Sequence, residues 1–145
     1  MRVVIQRARE ASVAVGEEIT ASLPFGIVAL VGFERGDAFA AGQQMIDRLL
    51  KLRIFADERD RMNLSLVQAG GGLLLISQFT LAGSTARGLR PSFDGAMPPA
   101  EAERLFEEVA AYARSRCPVV LTGRFGAHMR VRLLNDGPVT FVLDF

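Results

Sequence analysis

The chain has 145 residues, half of them hydrophobic, and a formal net charge of +1. That length suits one domain, residues 1–145, with a real core, and that composition excludes a disordered chain. A single cysteine, Cys117, leaves no internal disulfide, and with a single histidine, His128, the ligands for a nitrogen-and-sulfur zinc site are too few.

No apolar run approaches the ~20 residues of a membrane span. The opening residues 1–7 are too short and too quickly charged for a signal peptide, so a cytoplasmic setting is expected. The basic residues are 16 arginines and Lys51. Near-neutral net charge argues against indiscriminate nucleic-acid binding. A local patch remains open, and arginine is the better residue for bidentate phosphate contact.

In chain order, residues 1–7 read as a first strand. Residues 13–15 and 19–23 flank Gly16-Glu17-Glu18 and suggest a hairpin. Residues 26–33 form a continuous apolar run, the mark of a buried strand. Asp37 is placed to cap a helix running to about Leu52, with Ile46, Leu49 and Leu50 at helical spacing. A short strand at 53–56 and a turn at 57–60 follow. Gly70-Gly71-Gly72 leads into a strand at 73–78; it lacks the Lys-Ser/Thr of a phosphate loop and reads as a tight connection. Pro98-Pro99 opens a second helix over 100–116, with an apolar stripe of Ala102, Leu105, Phe106, Val109, Tyr112 and Ala113. Acidic residues load its start and Arg114 and Arg116 its end, matching the helix dipole. Three strands complete the chain, at 119–123, 129–134 and 139–145. The fold class expected is α+β: a curled, mostly antiparallel sheet or open β-barrel with two helices packed on it.

Conventional catalysts are scarce. His128 has no orienting carboxylate or nucleophile near it in sequence. Strand alternation puts it with Arg130 and Arg132, opposite Met129, on an exposed or phosphate-facing side. Cys117 abuts a helix end and Pro118, a packing position. Two other stretches carry more information. Ser77-Gln78-Phe79-Thr80-Leu81 arrives where a core strand emerges. Thr80 is the one hydroxyl in it with a place for chemistry, but no general base accompanies it, so its role is positioning rather than covalent. The backbone N–H groups of Phe79 and Thr80 suit an oxyanion instead, a task needing geometry and no titrating group. Asn135-Asp136-Gly137-Pro138-Val139-Thr140 lies between two strands. Its proline has no N–H for a ladder, so the chain must turn or bulge there. A Gly-Pro bond is also one that adopts cis at low cost, about 0.5–1 kcal/mol.

Together these stretches resemble the D-aminoacyl-tRNA deacylases. The resemblance runs end to end, through Val4-Ile5-Gln6-Arg7-Ala8, Ala11-Ser12-Val13, Arg53-Ile54-Phe55, Met62-Asn63-Leu64, Arg90-Pro91-Ser92-Phe93 and Thr122-Gly123-Arg124-Phe125. It implies hydrolysis of the ester joining a D-amino acid, or glycine mischarged on tRNA(Ala), to tRNA, with no cofactor or metal. It implies a homodimer in which Gly137 and Pro138 of one chain, joined by a cis bond, face Ser77, Gln78, Phe79 and Thr80 of the other and reject L substrates by collision. Met129 and Phe125 would lie near the bound aminoacyl-adenosine. Arg7, Arg87, Arg130 and Arg132 are the arginines it offers for tRNA contact. One departure concerns the loop Gly83-Ser84-Thr85-Ala86-Arg87-Gly88, where the family often carries lysine and Arg87 is here the only cation before Arg90. The alternatives are a DNA-binding module of the same fold without esterase activity, and a general small-ester hydrolase, for which no nucleophile and base pair is found.

Overall fold

The structure is a computed structural model that describes residues 1–86 and 88–145; the expectation for Arg87 lies outside the described residues. Its long first strand, β1 (Arg2–Val15), organises everything else. The strand β2 (Glu18–Leu23) folds back on it through the expected hairpin, and β3 (Gly26–Gly32) pairs antiparallel with its first half. Helix α1 (Phe39–Lys51) follows, then a small hairpin of β4 (Phe55–Ala56) and β5 (Met62–Leu64). Strand β6 (Gly72–Ser77) runs parallel to β3 and carries at its end a single 3₁₀ turn, Phe79–Ala82. Helix α2 (Pro99–Arg116), β7 (Val120–Thr122), parallel to β6, and β8 (Met129–Asp144), antiparallel to β1 along its length, complete the chain.

The sheet is therefore antiparallel around β1 and parallel across β3, β6 and β7. Strands β3 and β6 are buried on both faces, which explains their unbroken apolar runs. Ile27, Ala29, Val31, Leu73 and Leu75 face the helices, where Ile46, Leu49, Phe106 and Val109 cover them. Val28, Leu74 and Ile76 point the other way, into a second cluster with Ala11, Val13, Ala21 and Leu23 from the curled β1–β2 hairpin. Period-two alternation along two adjacent strands thus feeds two cores.

Three expectations change. Residues 1–7 and 13–15 belong to one continuous strand. Asp37 does not cap α1, whose N-cap is Ala38. Its carboxylate instead accepts hydrogen bonds from the Met1 ammonium at 2.9 Å and the Glu34 N–H at 2.7 Å. The strands expected at 129–134 and 139–145 are one strand, β8, with a bulge at Gly137–Pro138.

That bulge is specified residue by residue. Register with β1 passes from Gln6↔Thr140 to Ala8↔Asn135, so residues 136–139 stand opposite Arg7 alone. Arg7 donates from Nε to the Asp136 carbonyl at 2.8 Å and from Nη1 to the Ile54 carbonyl at 2.6 Å. The Asn135 side chain accepts from the Val139 N–H at 2.7 Å and donates to Thr140 Oγ1 at 2.9 Å. Gly137 has φ +140°, and a Cβ there would sit 2.7 Å from Val139 Cγ2 and 3.1 Å from Arg7 Nη2, so only glycine fits. The Gly137–Pro138 peptide is cis. Both residues are exposed and have no partner in the ladder.

Candidate active site

A cavity of about 690 Å³ opens where β3 and β6 end side by side. That volume falls in the range that holds a small ligand. Its floor is Val31 and Ile76, both buried. One wall is Ser77, Gln78 and Phe79, and a second is the turn leading to β8, with Phe125, His128 and Met129. The third comes from Phe93, Met97 and the start of α2 at Pro98, Pro99 and Ala102, with Phe33 and Arg35 beside it. Among the described residues that line it, none is Asp or Glu.

Among the described residues, two backbone donors of the 3₁₀ turn find no acceptor. Gln78 N–H donates to the Val31 carbonyl at 2.7 Å, and Leu81 N–H to the Gln78 carbonyl at 3.2 Å. Between them, the N–H groups of Phe79 and Thr80 head a helical turn, where donors have no acceptor within the turn. The turn can lie this close to β3 because β3 ends in glycine. A Cβ on Gly32 would sit 2.7 Å from Leu81 Cβ and 2.8 Å from the Gln78 carbonyl oxygen. Phe79 is 60% exposed, and its ring leans on Phe93 with centroids 4.9 Å apart.

Of the residues singled out from sequence, Ser77, Gln78, Phe79, Phe125 and Met129 meet in this cavity. Thr80 is exposed beside it, and its Oγ1 accepts a hydrogen bond from Gln78 Nε2 at 2.5 Å. Gly137 and Pro138 are outside the lining of their own chain's cavity. Arg7, offered for tRNA contact, is largely buried and spends Nε and Nη1 on the Asp136 and Ile54 carbonyls, holding the bulge. Arg130 and Arg132 are exposed on β8, and Arg130 also donates to the Gly16 carbonyl.

His128 is exposed, as expected, but it lies in the turn before β8 rather than on the strand, and it lines the cavity beside Met129. Phe33, Arg35, Met97 and Pro98 were missed. Pro98-Pro99 signalled a helix start but not what the helix points at, and Phe93 stood in a recognised motif without a role. Cys117 is buried, with its Sγ 3.5 Å from the Val119 carbonyl, as packing requires. Among the described residues, no group of three or more His, Cys, Asp and Glu side chains is arranged to hold a metal ion, and no helix is long and apolar enough to cross a membrane.

Fold and site together define an α+β domain with an apolar cavity at the ends of β3 and β6, walled by Ser77, Gln78 and Phe79. Known proteins narrow the class. The family model described as D-Tyr-tRNA(Tyr) deacylase matches residues 4–144. The D-aminoacyl-tRNA deacylase of Azotobacter vinelandii is 58% identical over 145 residues, and that of Stenotrophomonas maltophilia 56% over 144, each covering 99% of both chains. Among solved structures, a c-Myc DNA unwinding element binding protein superposes with a TM-score of 0.95 at 34% identity, covering 100% of this chain and 99% of its own. A probable eukaryotic D-amino acid tRNA deacylase, with a TM-score of 0.86 at 18% identity over 99% of this chain and 98% of its own, shares the fold. The chain belongs to the D-Tyr-tRNA(Tyr) deacylase family.

Proposed function

We propose that this cavity hydrolyses the ester of D-aminoacyl-tRNA, and of glycyl-tRNA(Ala), leaving L-aminoacyl-tRNA intact. The observation that carries the reading is the pair of Phe79 and Thr80 N–H groups at the head of the 3₁₀ turn, beside an apolar cavity. An aminoacyl ester is already activated. Its hydrolysis needs a placed water and donors for the oxyanion, and one such donor is worth about 10²–10³ in kcat. Water adds to the ester carbon, the Phe79 and Thr80 N–H groups hold the oxygen that gains charge, and the bond to the ribose oxygen breaks. The proton passes from water to that oxygen, with the neighbouring ribose hydroxyl assisting. Ser77 and Gln78 shape the turn, and Thr80 positions Gln78. Phe125 and Met129 contact the adenosine, and the exposed Arg130 and Arg132 meet the RNA.

The charge of the cavity supports a second subunit. An α-ammonium group needs acceptors, and no carboxylate is among the described lining residues. Gly137 and Pro138 are exposed, unpaired and outside their own cavity, on a strand that also exposes Leu134, Phe141 and Val142. Apolar area of this kind on one strand marks an interface. In a two-fold dimer each chain would lend its Gly137–Pro138 segment to the other's cavity. Main-chain carbonyls there would accept from the ammonium, and an L side chain would collide with the backbone while a D side chain points outward. A tRNA substrate puts this work in the cytoplasm.

The test is hydrolysis of matched D- and L-tyrosyl-tRNA by the pure protein. Release of tyrosine from the D ester alone is expected. Equal rates on both would overturn the chiral filter. Hydrolysis of neither, together with salt-dependent binding to duplex DNA, would favour the DNA-binding reading that the 34% identical relative's name suggests.

A further inference from the structure

We infer that Arg35 and His128 hold the last phosphodiester of the RNA 3′ end while the terminal nucleoside enters the cavity. The inference rests on the ester-hydrolase reading above and names how that site binds RNA. Among the described residues lining the cavity, these two carry the basic side chains, and no carboxylate opposes them. They come from separate elements, Arg35 from the loop after β3 and His128 from the turn before β8. Many arginines of this chain are neutralised by carboxylates, including Arg2, Arg9, Arg61, Arg116 and Arg124. Arg35 forms no ion pair among the described residues. It is held instead by neutral groups: its Nε donates to the Asp94 carbonyl at 2.8 Å and its main-chain N–H to the Gly95 carbonyl at 2.9 Å. Two fixed points aim the side chain, and its charge stays uncompensated.

The start of α2 borders the same space, with Glu101 in its first turn offsetting part of the helix dipole. Pro98, Pro99 and Ala102 line the cavity, and no side chain caps this 18-residue helix. A helix N-terminus carries roughly +0.5 of an elementary charge. An arginine, an imidazole donor and a helix start therefore surround an apolar space sized for a nucleoside and an amino acid. Neither the ester nor the amino group of the substrate is an anion. The nearest anion on an aminoacylated 3′ end is the phosphodiester preceding the terminal nucleoside, and arginine and imidazole N–H groups are its fitting donors.

The experiment compares D-tyrosyl-tRNA with D-tyrosyl-adenosine, which has no phosphodiester, in the wild type, Arg35→Gln, His128→Asn and the double variant. With tRNA, the double variant should raise KM about tenfold or more, the scale of charge-assisted hydrogen bonds. For Arg35→Gln, the slope of log(kcat/KM) against log salt should become shallower by about 0.7, the value of one single-strand phosphate contact. With D-tyrosyl-adenosine, the variants should stay much closer to wild type than they do with tRNA. Arg35→Lys, which keeps the charge but loses the Nε bond to Asp94, should keep the wild-type salt slope. The trinucleotide CpCpA should inhibit the wild type better than adenosine does and lose that advantage in the double variant. Parallel losses on both esters, or an unchanged slope in Arg35→Gln, would overturn the inference and leave Arg35 as a brace for the wall. A wild-type protein inactive on both esters would overturn the ester-hydrolase reading itself.

Discussion

Gly32→Ala tests whether the 3₁₀ turn is the catalytic element. The added Cβ would lie 2.7 Å from Leu81 Cβ and 2.8 Å from the Gln78 carbonyl oxygen. Ordinary contact begins near 3.4 Å, so the turn must retreat by about 0.6–0.7 Å. Neither neighbour is the flexible end of a side chain, so the retreat carries Phe79 and Thr80 with it. Oxyanion donors act only within about 2.7–3.1 Å of the developing charge, and loss of one costs about 10²–10³ in kcat. We expect kcat on D-tyrosyl-tRNA to fall roughly 10- to 100-fold with a smaller change in KM, since misplacement by about 1 Å costs up to 10²-fold. Overpacking should also lower stability by about 1–3 kcal/mol, measured by urea unfolding. The control is Leu49→Ala, on the fully buried face of α1, which should cost about 2–5 kcal/mol and leave kcat near wild type. A Gly32→Ala protein with wild-type kcat would refute the assignment of the oxyanion site to this turn.

Thr80→Ala should retain activity within about tenfold, because its hydroxyl receives a hydrogen bond from Gln78 Nε2 and has no base to activate it; a trapped acyl-enzyme on wild-type Thr80 would refute this. Leu134→Asp or Val142→Asp, each placing a carboxylate on exposed apolar β8, should shift the protein to monomer in sedimentation velocity. D-tyrosyl-tRNA hydrolysis should fall with it, and a fully active monomer would sink the shared-site reading. Stability should also depend on the Met1 ammonium. Burial lowers its pKa, but hydrogen bonds and charge from Asp37 and Glu34 outweigh that and raise it above the ordinary 8.0. Its contribution is then complete below about pH 8 and lost as pH rises through the folded-state value. Thermal melts from pH 7 to 10 should show a steeper decline for wild type than for Asp37→Asn, and parallel declines would contradict the sign.

Local pattern made much of the fold legible, and the errors have local causes too. Apolar runs marked β3 and β6 correctly because strands buried on both faces leave nothing else to read. The stripe from Ala102 to Ala113 located the buried side of α2 because helix periodicity is set by the helix alone. Asp37 misled because an N-cap is a local inference, while its partner is the chain's own amino group, 36 residues away. His128 is exposed as alternation indicated, but its place in the cavity lining comes from the turn before β8, which alternation does not describe. The structural partners of Arg7 were not legible in sequence, because its acceptors lie 129 and 47 residues distant. The third wall of the cavity, from Phe93 to Pro99, had no signal of its own, since its function exists only where two distant segments meet.

The Asn135–Thr140 segment is held by its own polar contacts and those of Arg7 and Arg9. Asn135 spends both ends of its amide on Val139 and Thr140, and Arg7 and Arg9 both reach Asp136. These contacts hold the backbone of the bulge, while Gly137 and Pro138 stay exposed with no ladder partner. A segment anchored this way resists displacement, and the proposed rejection by collision needs that resistance, because a soft loop would yield to an L side chain. It follows that Asn135→Ala, which leaves Gly137 and Pro138 in sequence but removes the clamp, should erode discrimination between D and L esters more than it lowers the rate on the D ester.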